Sequence, residues 1–156
     1  MRLTICAVGR LRKGPEAALV EDYATRATKA GRALGLTPLT ITEVEDRRGG
    51  GMEAEAALLR RAVPPGAVLV TLDERGEEMT SPGFAEVLAR WRDQGRGDAA
   101  FVIGGADGIA PDLRAEADHA LRFGRMVWPH MLARVMLAEQ IYRATQILGG
   151  TPYHRE

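Results

Sequence analysis

The chain has 156 residues, 46% of them hydrophobic, and 21 Lys plus Arg against 21 Asp plus Glu, for a formal net charge of zero. That length fits a single domain over residues 1–156 with an ordinary core, and the composition excludes a disordered chain. Zero net charge argues against tight binding to bare nucleic acid, so any action on RNA must use local contacts or a larger particle. Cys6 stands alone, which excludes an intrachain disulfide; with no signal-peptide pattern and no membrane-length apolar window, a cytoplasmic, soluble protein without a membrane partner is the expectation.

Leu3 to Val8 reads as a first strand, with Cys6 a small core residue in it, ended by Gly9 and the basic run Arg10, Arg12, Lys13. Pro15 suits the first turn of a helix, and Leu19, Tyr23, Ala27 and Ala30 follow at helical spacing up to Gly31 or Gly35. Leu36 to Val44 alternates as a second strand, and Glu45 to Gly51 is a charged, glycine-rich loop that includes Arg47 and Arg48. A short helix spans Met52 to Val63. Ala67 to Leu72 is the best strand in the chain, with Asp73 to Glu78 as its polar exit loop. Ser81-Pro82 predicts a helix start with Ser81 as N-cap; Phe84, Val87, Leu88 and Trp91 form the stripe and Gly95 the C-cap.

Ala99 to Ile103 reads as a strand buried on both faces, and it runs into Gly104-Gly105-Ala106-Asp107-Gly108. Two readings stand here: a tight turn that needs positive φ, or a loop that lets a ligand approach the backbone at a strand's carboxyl end. A short helix from Pro111 to Asp118, a short strand from His119 to Arg122 and an irregular stretch around Pro129 follow. Strands alternating with helices predict an α/β fold, a mainly parallel sheet with flanking helices. The last helix, Met131 to Leu148, carries only Arg134, Glu139 and Arg143 as charges. An almost wholly apolar circumference predicts burial on nearly every side, one face on the sheet and another on a partner subunit. Glu139 and Arg143 also fit a plain i,i+4 surface pair.

Familiar chemical signatures are absent: no phosphate loop, no nucleophile elbow, no dinucleotide fingerprint after the first strand, and no Cys/His cluster with metal spacing, so no metal is expected. Three strand exits remain, at Leu72-Asp73, Gly104-Gly105 and Phe123 to Pro129. On parallel neighbours they would share one edge of the sheet and could line an apolar slot for an adenine ring. Arg125 to Pro129 equally fits an ordinary covering loop, and His130 a structural helix start. Tyr153-His154-Arg155-Glu156 fits a frayed terminus. It also brings together an aromatic, an imidazole and a guanidinium, the groups needed to stack on a nucleobase and deprotonate it.

Leu72 to Gly76, Phe101 to Gly108, Trp128-Pro129-His130, Ala133-Arg134-Val135, Glu139 to Ala144 and Pro152 to Glu156 occur in the order of one family. The chain resembles the bacterial large-subunit ribosomal RNA pseudouridine N3-methyltransferases of the SPOUT class. The resemblance spans essentially the whole chain and is most specific in the C-terminal half. It implies a SPOUT-type α/β fold with a C-terminal trefoil knot, a homodimer, and S-adenosylmethionine bound in the knot beside the partner subunit. The implied substrate is a pseudouridine of 23S ribosomal RNA in the assembled 70S ribosome.

Carried over by position, the resemblance gives the cofactor Leu72, Gly105 with Gly104 adjacent, and the segment Phe123, Gly124, Arg125, Met126, Val127, Trp128. Relatives usually carry Ser and Thr just before the Pro-His pair, so here main-chain contacts would replace hydroxyl contacts. The implied catalytic set is His154 as general base, Arg143 or Arg155 to stabilise the anion or hold a phosphate, Tyr153 to stack on the base, and His130 to orient the loop. Arg10, Arg12, Lys13, Arg47 and Arg48 would be local ribosome contacts, although loop charges are usually just solvated. The competing expectations are a non-catalytic RNA- or nucleotide-binding protein of the same fold, and a SPOUT methyltransferase acting on transfer RNA.

Overall fold

The computed structural model describes residues 1–155; Glu156, the end of the tail motif, lies outside the described residues. Five strands alternate with five helices: β1 (Arg2–Val8), α1 (Pro15–Gly31), β2 (Leu39–Val44), α2 (Gly51–Ala62), β3 (Val68–Glu77), α3 (Ser81–Asp93), β4 (Asp98–Ile103), α4 (Pro111–Glu116), β5 (His119–Leu121) and α5 (His130–Leu148). The strands form one parallel sheet in the order β2-β1-β4-β3-β5. Parallel pairing sends every strand's carboxyl end to the same edge, which is where the loops of interest gather.

Side-chain alternation explains the layers. On β1, Leu3, Ile5 and Ala7 point to one face; on β4, Ala99, Phe101 and Ile103 join them, and α1, α3 and α5 cover that side. Cys6, Val8, Ala100 and Val102 point the other way, under Ala56 and Leu59 of α2 and Leu113 of α4. All six residues of β4 are buried, as a strand covered on both faces requires.

Several boundaries differ from expectation for physical reasons. β2 begins at Leu39 rather than Leu36, because Pro38 has no N–H to give the ladder and only its carbonyl is used, by Leu3 N–H at 2.9 Å. The polar run after Leu72 is not simply an exit loop: β3 bulges there and re-pairs, Leu72 and Glu77 both facing Leu121. Gly76 packs so tightly on β5 that a Cβ would fall 2.7 Å from the carbonyl carbons of Ala120 and Leu121. The α3 N-cap is Thr80, whose Oγ1 accepts from Gly83 N–H at 3.1 Å; Ser81 is already helical. Its C-cap is Gln94, with Gly95 following at φ +80°.

α5 begins at His130, one residue early, and explains its own composition. It packs between α1 and α3 over the sheet, so Leu137, Ala138, Ile141 and Ala144 are fully buried within a single chain. Arg134 is 1% exposed: Nη1 donates to Glu43 Oε2 at 2.7 Å, and Nη2 to the carbonyls of Val8 and Gly9 at 3.2 and 3.0 Å. One buried guanidinium thus ties α5 to the exits of β1 and β2. Apolar exposure on α5 is confined to its first turn, Met131 and Leu132, continuing from Met126, Val127 and Trp128 in the preceding loop.

Candidate active site

The three expected strand exits meet. β3, β4 and β5 deliver Leu72 to Arg75, Ile103 to Ile109 and Leu121 to Trp128 to one cleft of about 740 Å³, closed by Met52 of α2 and by His130 and Ala133 of α5. That size suits a cofactor or drug-sized ligand. Leu72, Gly104, Gly105, Phe123, Gly124, Met126, Val127, Trp128 and His130 all line it, whereas Arg125 is not among the lining residues.

The glycine loop proves to be both a tight turn and a cleft wall. Gly108 N–H donates back to Gly105 O at 3.0 Å, and a Cβ on Gly104 would lie 2.4 Å from Gly108 O, so only glycine allows this closure. Opposite it, Gly124 sits at φ +104° and Trp128 Nε1 donates to Phe123 O at 3.1 Å, folding the last loop into a compact arch.

One ion pair that the sequence did not reveal ties the walls together. Asp73, almost fully buried, accepts from Arg114 Nε at 2.7 Å and from Arg75 N–H at 2.8 Å, while Arg114 Nη2 donates to Ile109 O at 3.1 Å. The β3 exit, the glycine loop and α4 are thereby held as one piece. Nothing in local spacing marks this pair; an acid at a strand exit and an arginine on a later short helix is the only signal.

The tail residues lie elsewhere. Tyr153 and His154 fold back on the second half of α5, and none of Arg143, Tyr153, His154 and Arg155 lines the cleft. His130 and Arg143 are thirteen residues apart on one helix, a rise of roughly 20 Å along its axis. There Glu139 Oε1 accepts from Arg143 Nη2 at 2.6 Å and from Tyr153 Oη at 3.0 Å, and the Arg143 guanidinium stands 5.0 Å from the Tyr153 ring centre. Burial, and then the bond to Glu139, push the Tyr153 phenol up to about 12, so it stays neutral. Arg143 Nη1 lies 3.2 Å from His154 Nδ1. A guanidinium can only donate, so Nδ1 accepts and the neutral ring carries its proton on Nε2. Arg155 is exposed.

A parallel α/β sheet with a glycine-walled cleft at its carboxyl edge and a basic, aromatic tail folded onto the last helix defines a class. A family model described as "Predicted SPOUT methyltransferase" matches residues 1–154. The chain is 71% identical over 156 residues to "Ribosomal RNA large subunit methyltransferase H" of Paracoccus denitrificans (strain Pd 1222), covering 100% of both. It is 66% identical over 155 residues to the protein of that name from Ruegeria pomeroyi, covering 99% of both. A probable methylase family protein of Haemophilus influenzae Rd KW20 shares the fold at TM-score 0.53 and 14% identity, over 99% of this chain and 70% of that one. The chain belongs to the SPOUT methyltransferases and, within them, to the ribosomal RNA large subunit methyltransferase H family.

Proposed function

We propose that this protein methylates large-subunit ribosomal RNA, taking the methyl group from S-adenosylmethionine and delivering it to N3 of a pseudouridine of 23S RNA in the assembled 70S ribosome. The observation that carries this reading is the convergence of Leu72, Gly104-Gly105 and Phe123 to Trp128 on one cleft, in a chain whose full-length relatives bear the methyltransferase name. The cleft fits the cofactor. Apolar walls at Leu72, Ile103, Leu121 and Phe123 suit an adenine ring, and the Gly104-Gly105 backbone can approach closely. In this reading the C-terminal segment that walls the cleft is the trefoil knot.

When bound, the cofactor supplies an already activated sulfonium methyl. The chain's part is to position N3 and take its proton. His154 is the proposed base, through Nδ1, once Arg143 lets go of that lone pair; Arg143 then turns to the carbonyl oxygen of the resulting anion. Tyr153, a neutral phenol, stacks on the base. Arg155 holds a phosphate, and His130 orients the loop before α5.

Because the tail stands far from its own cleft, we read the working unit as a homodimer in which one protomer's tail completes its partner's site. The exposed run Met126, Val127, Trp128, Met131 and Leu132 at the cleft mouth suits the contact, since a second copy would cover it. Arg10, Arg12 and Lys13 follow β1, and Arg47 and Arg48 follow β2, so both basic loops leave the same sheet edge as the cleft. They provide the local RNA contacts of a chain with no net charge.

Radiolabelled methyl transfer to 70S ribosomes, isolated subunits and transfer RNA tests the reading. Label confined to 23S RNA and greatest in 70S ribosomes is expected. Label in transfer RNA, or none anywhere, would overturn it.

A further inference from the structure

α2 turns one carboxylate toward the glycine loop. Met52 and Glu55 are three residues apart and share a helix face, and Met52 lines the cleft. Both Glu55 carboxylate oxygens lie 3.1 Å from where a Cβ on Gly105 would stand, beside Val8 Cγ1 at 3.2 Å. Glu55 therefore sits directly over the loop that walls the cleft.

Its neighbours do not neutralise it. Burial comes first in holding the Glu55 carboxyl above its ordinary range; the charges of Asp107 and Asp46 add to this, and only His130 opposes them. Two of the nearby acids are already engaged: Asp46 accepts from Gly50 N–H at 2.6 Å and Arg48 N–H at 3.1 Å, and Asp73 is paired with Arg114. Among the described residues Glu55 forms no hydrogen bond and no ion pair. A partly desolvated carboxylate without a cation costs stability, and such a cost at a cleft is what a cationic ligand would offset.

We propose that Glu55 is the anionic partner of a cationic group on the cofactor, its sulfonium or its α-ammonium, and thereby fixes the methionine end of S-adenosylmethionine against Gly105. This rests on the cleft being the cofactor site. Two cleft arginines are occupied elsewhere, Arg114 by Asp73 and Arg122 by Glu78. Glu74 and Asp107 also line the cleft, and Glu55 is distinguished from them by standing directly at Gly105.

Calorimetric binding tests the proposal without methyl transfer, using wild type, Glu55→Gln and Glu53→Gln. Glu53 is exposed on the same helix, so its substitution removes equal charge away from the cleft. Glu55→Gln is expected to weaken S-adenosylmethionine roughly tenfold or more, the scale of one charged hydrogen bond, and to leave 5′-methylthioadenosine unchanged. S-adenosylhomocysteine separates the two sources: unaffected binding assigns the sulfonium, equal weakening the ammonium. The unliganded Glu55→Gln variant should melt at or above wild type. Wild-type affinity in Glu55→Gln overturns the proposal, as does an equal loss with all the ligands, an equal loss in Glu53→Gln, or a melting point lowered by several degrees. Wild type failing to bind any of these ligands would instead sink the cofactor reading, and the proposal with it.

Discussion

The two ends of α5 do opposite jobs. Its first turn belongs to a cleft built from loops, where His130 and Ala133 face glycines, apolar side chains and a buried ion pair. Its second half carries a polar cluster of Glu139, Arg143, Tyr153 and His154 that is closed on itself. The cleft is shaped by backbone and burial, which suits holding a preformed ligand. The tail is shaped by hydrogen bonds at a surface, which suits exchanging partners when a substrate arrives. A helix that carries both, roughly 20 Å apart, would, on the proposed roles, separate binding from proton transfer unless a second copy brings them together.

The sharpest test breaks that separation. Replacing His154 by Ala should lower methyl transfer at least about a hundredfold, the usual share of a general base, and leave cofactor affinity unchanged by calorimetry. Gly104→Ala should instead abolish cofactor binding, and with it methyl transfer, because its Cβ would collide with Gly108 O and distort the wall of the cleft. If one protomer's tail serves its partner's cleft, mixing the two inactive variants should restore roughly a quarter of wild-type activity, since half the mixed dimers' sites would be intact. No recovery would place tail and cleft in the same protomer's site.

The next effect concerns what joins the two ends to the sheet. Arg134→Met keeps the bulk but leaves the Val8 and Gly9 carbonyls without their donor and Glu43 without its cation. A loss of about 3 kcal/mol in chemical unfolding is expected, in the range for breaking a buried pair. Cofactor affinity should fall more than the tail's packing is disturbed, because the β1 exit under Gly105 is what loosens. Stability within about 0.5 kcal/mol of wild type would mean the guanidinium is replaceable there.

How much of this was legible follows from the same contrast. The cleft could be anticipated because each wall is a continuous segment: an apolar strand, then a polar or glycine exit, three times over. Parallel pairing did the rest. The tail's residue types were readable, yet its fold-back onto Glu139 was not, because a terminus carries no periodicity. Asp73, Arg114 and Glu55 were invisible for a different reason. Each matters through a partner forty or more residues away, and Glu55 in an Ala-rich helix looks like any solvent-facing acid until α2 is laid over Gly105. Arg134 stood out as a charge in an apolar helix, but its carbonyl partners belong to the backbone, which composition does not report.

The smallest effect probes the core beneath α2 against the mobile chemistry proposed for the tail. Cys6 lies on β1 beneath α2, fully buried, and burial pushes its thiol up from 9.0 to about 11. At pH 8 the native thiolate is roughly one part in a thousand, so a disulfide reagent should leave Cys6 unmodified until denaturant is added. The sign for stability follows from proton binding. Between pH 9.0 and about 11 the folded chain holds a proton that the unfolded chain has released, so the thiol's contribution is intact below pH 9.0 and is lost as pH rises through the folded value. Cys6→Ala should cost about 1 kcal/mol at neutral pH through the small cavity, and flatten the alkaline fall in stability over that window. An unchanged alkaline slope, or rapid labelling of the native thiol, would show that the core under α2 opens as readily as the tail.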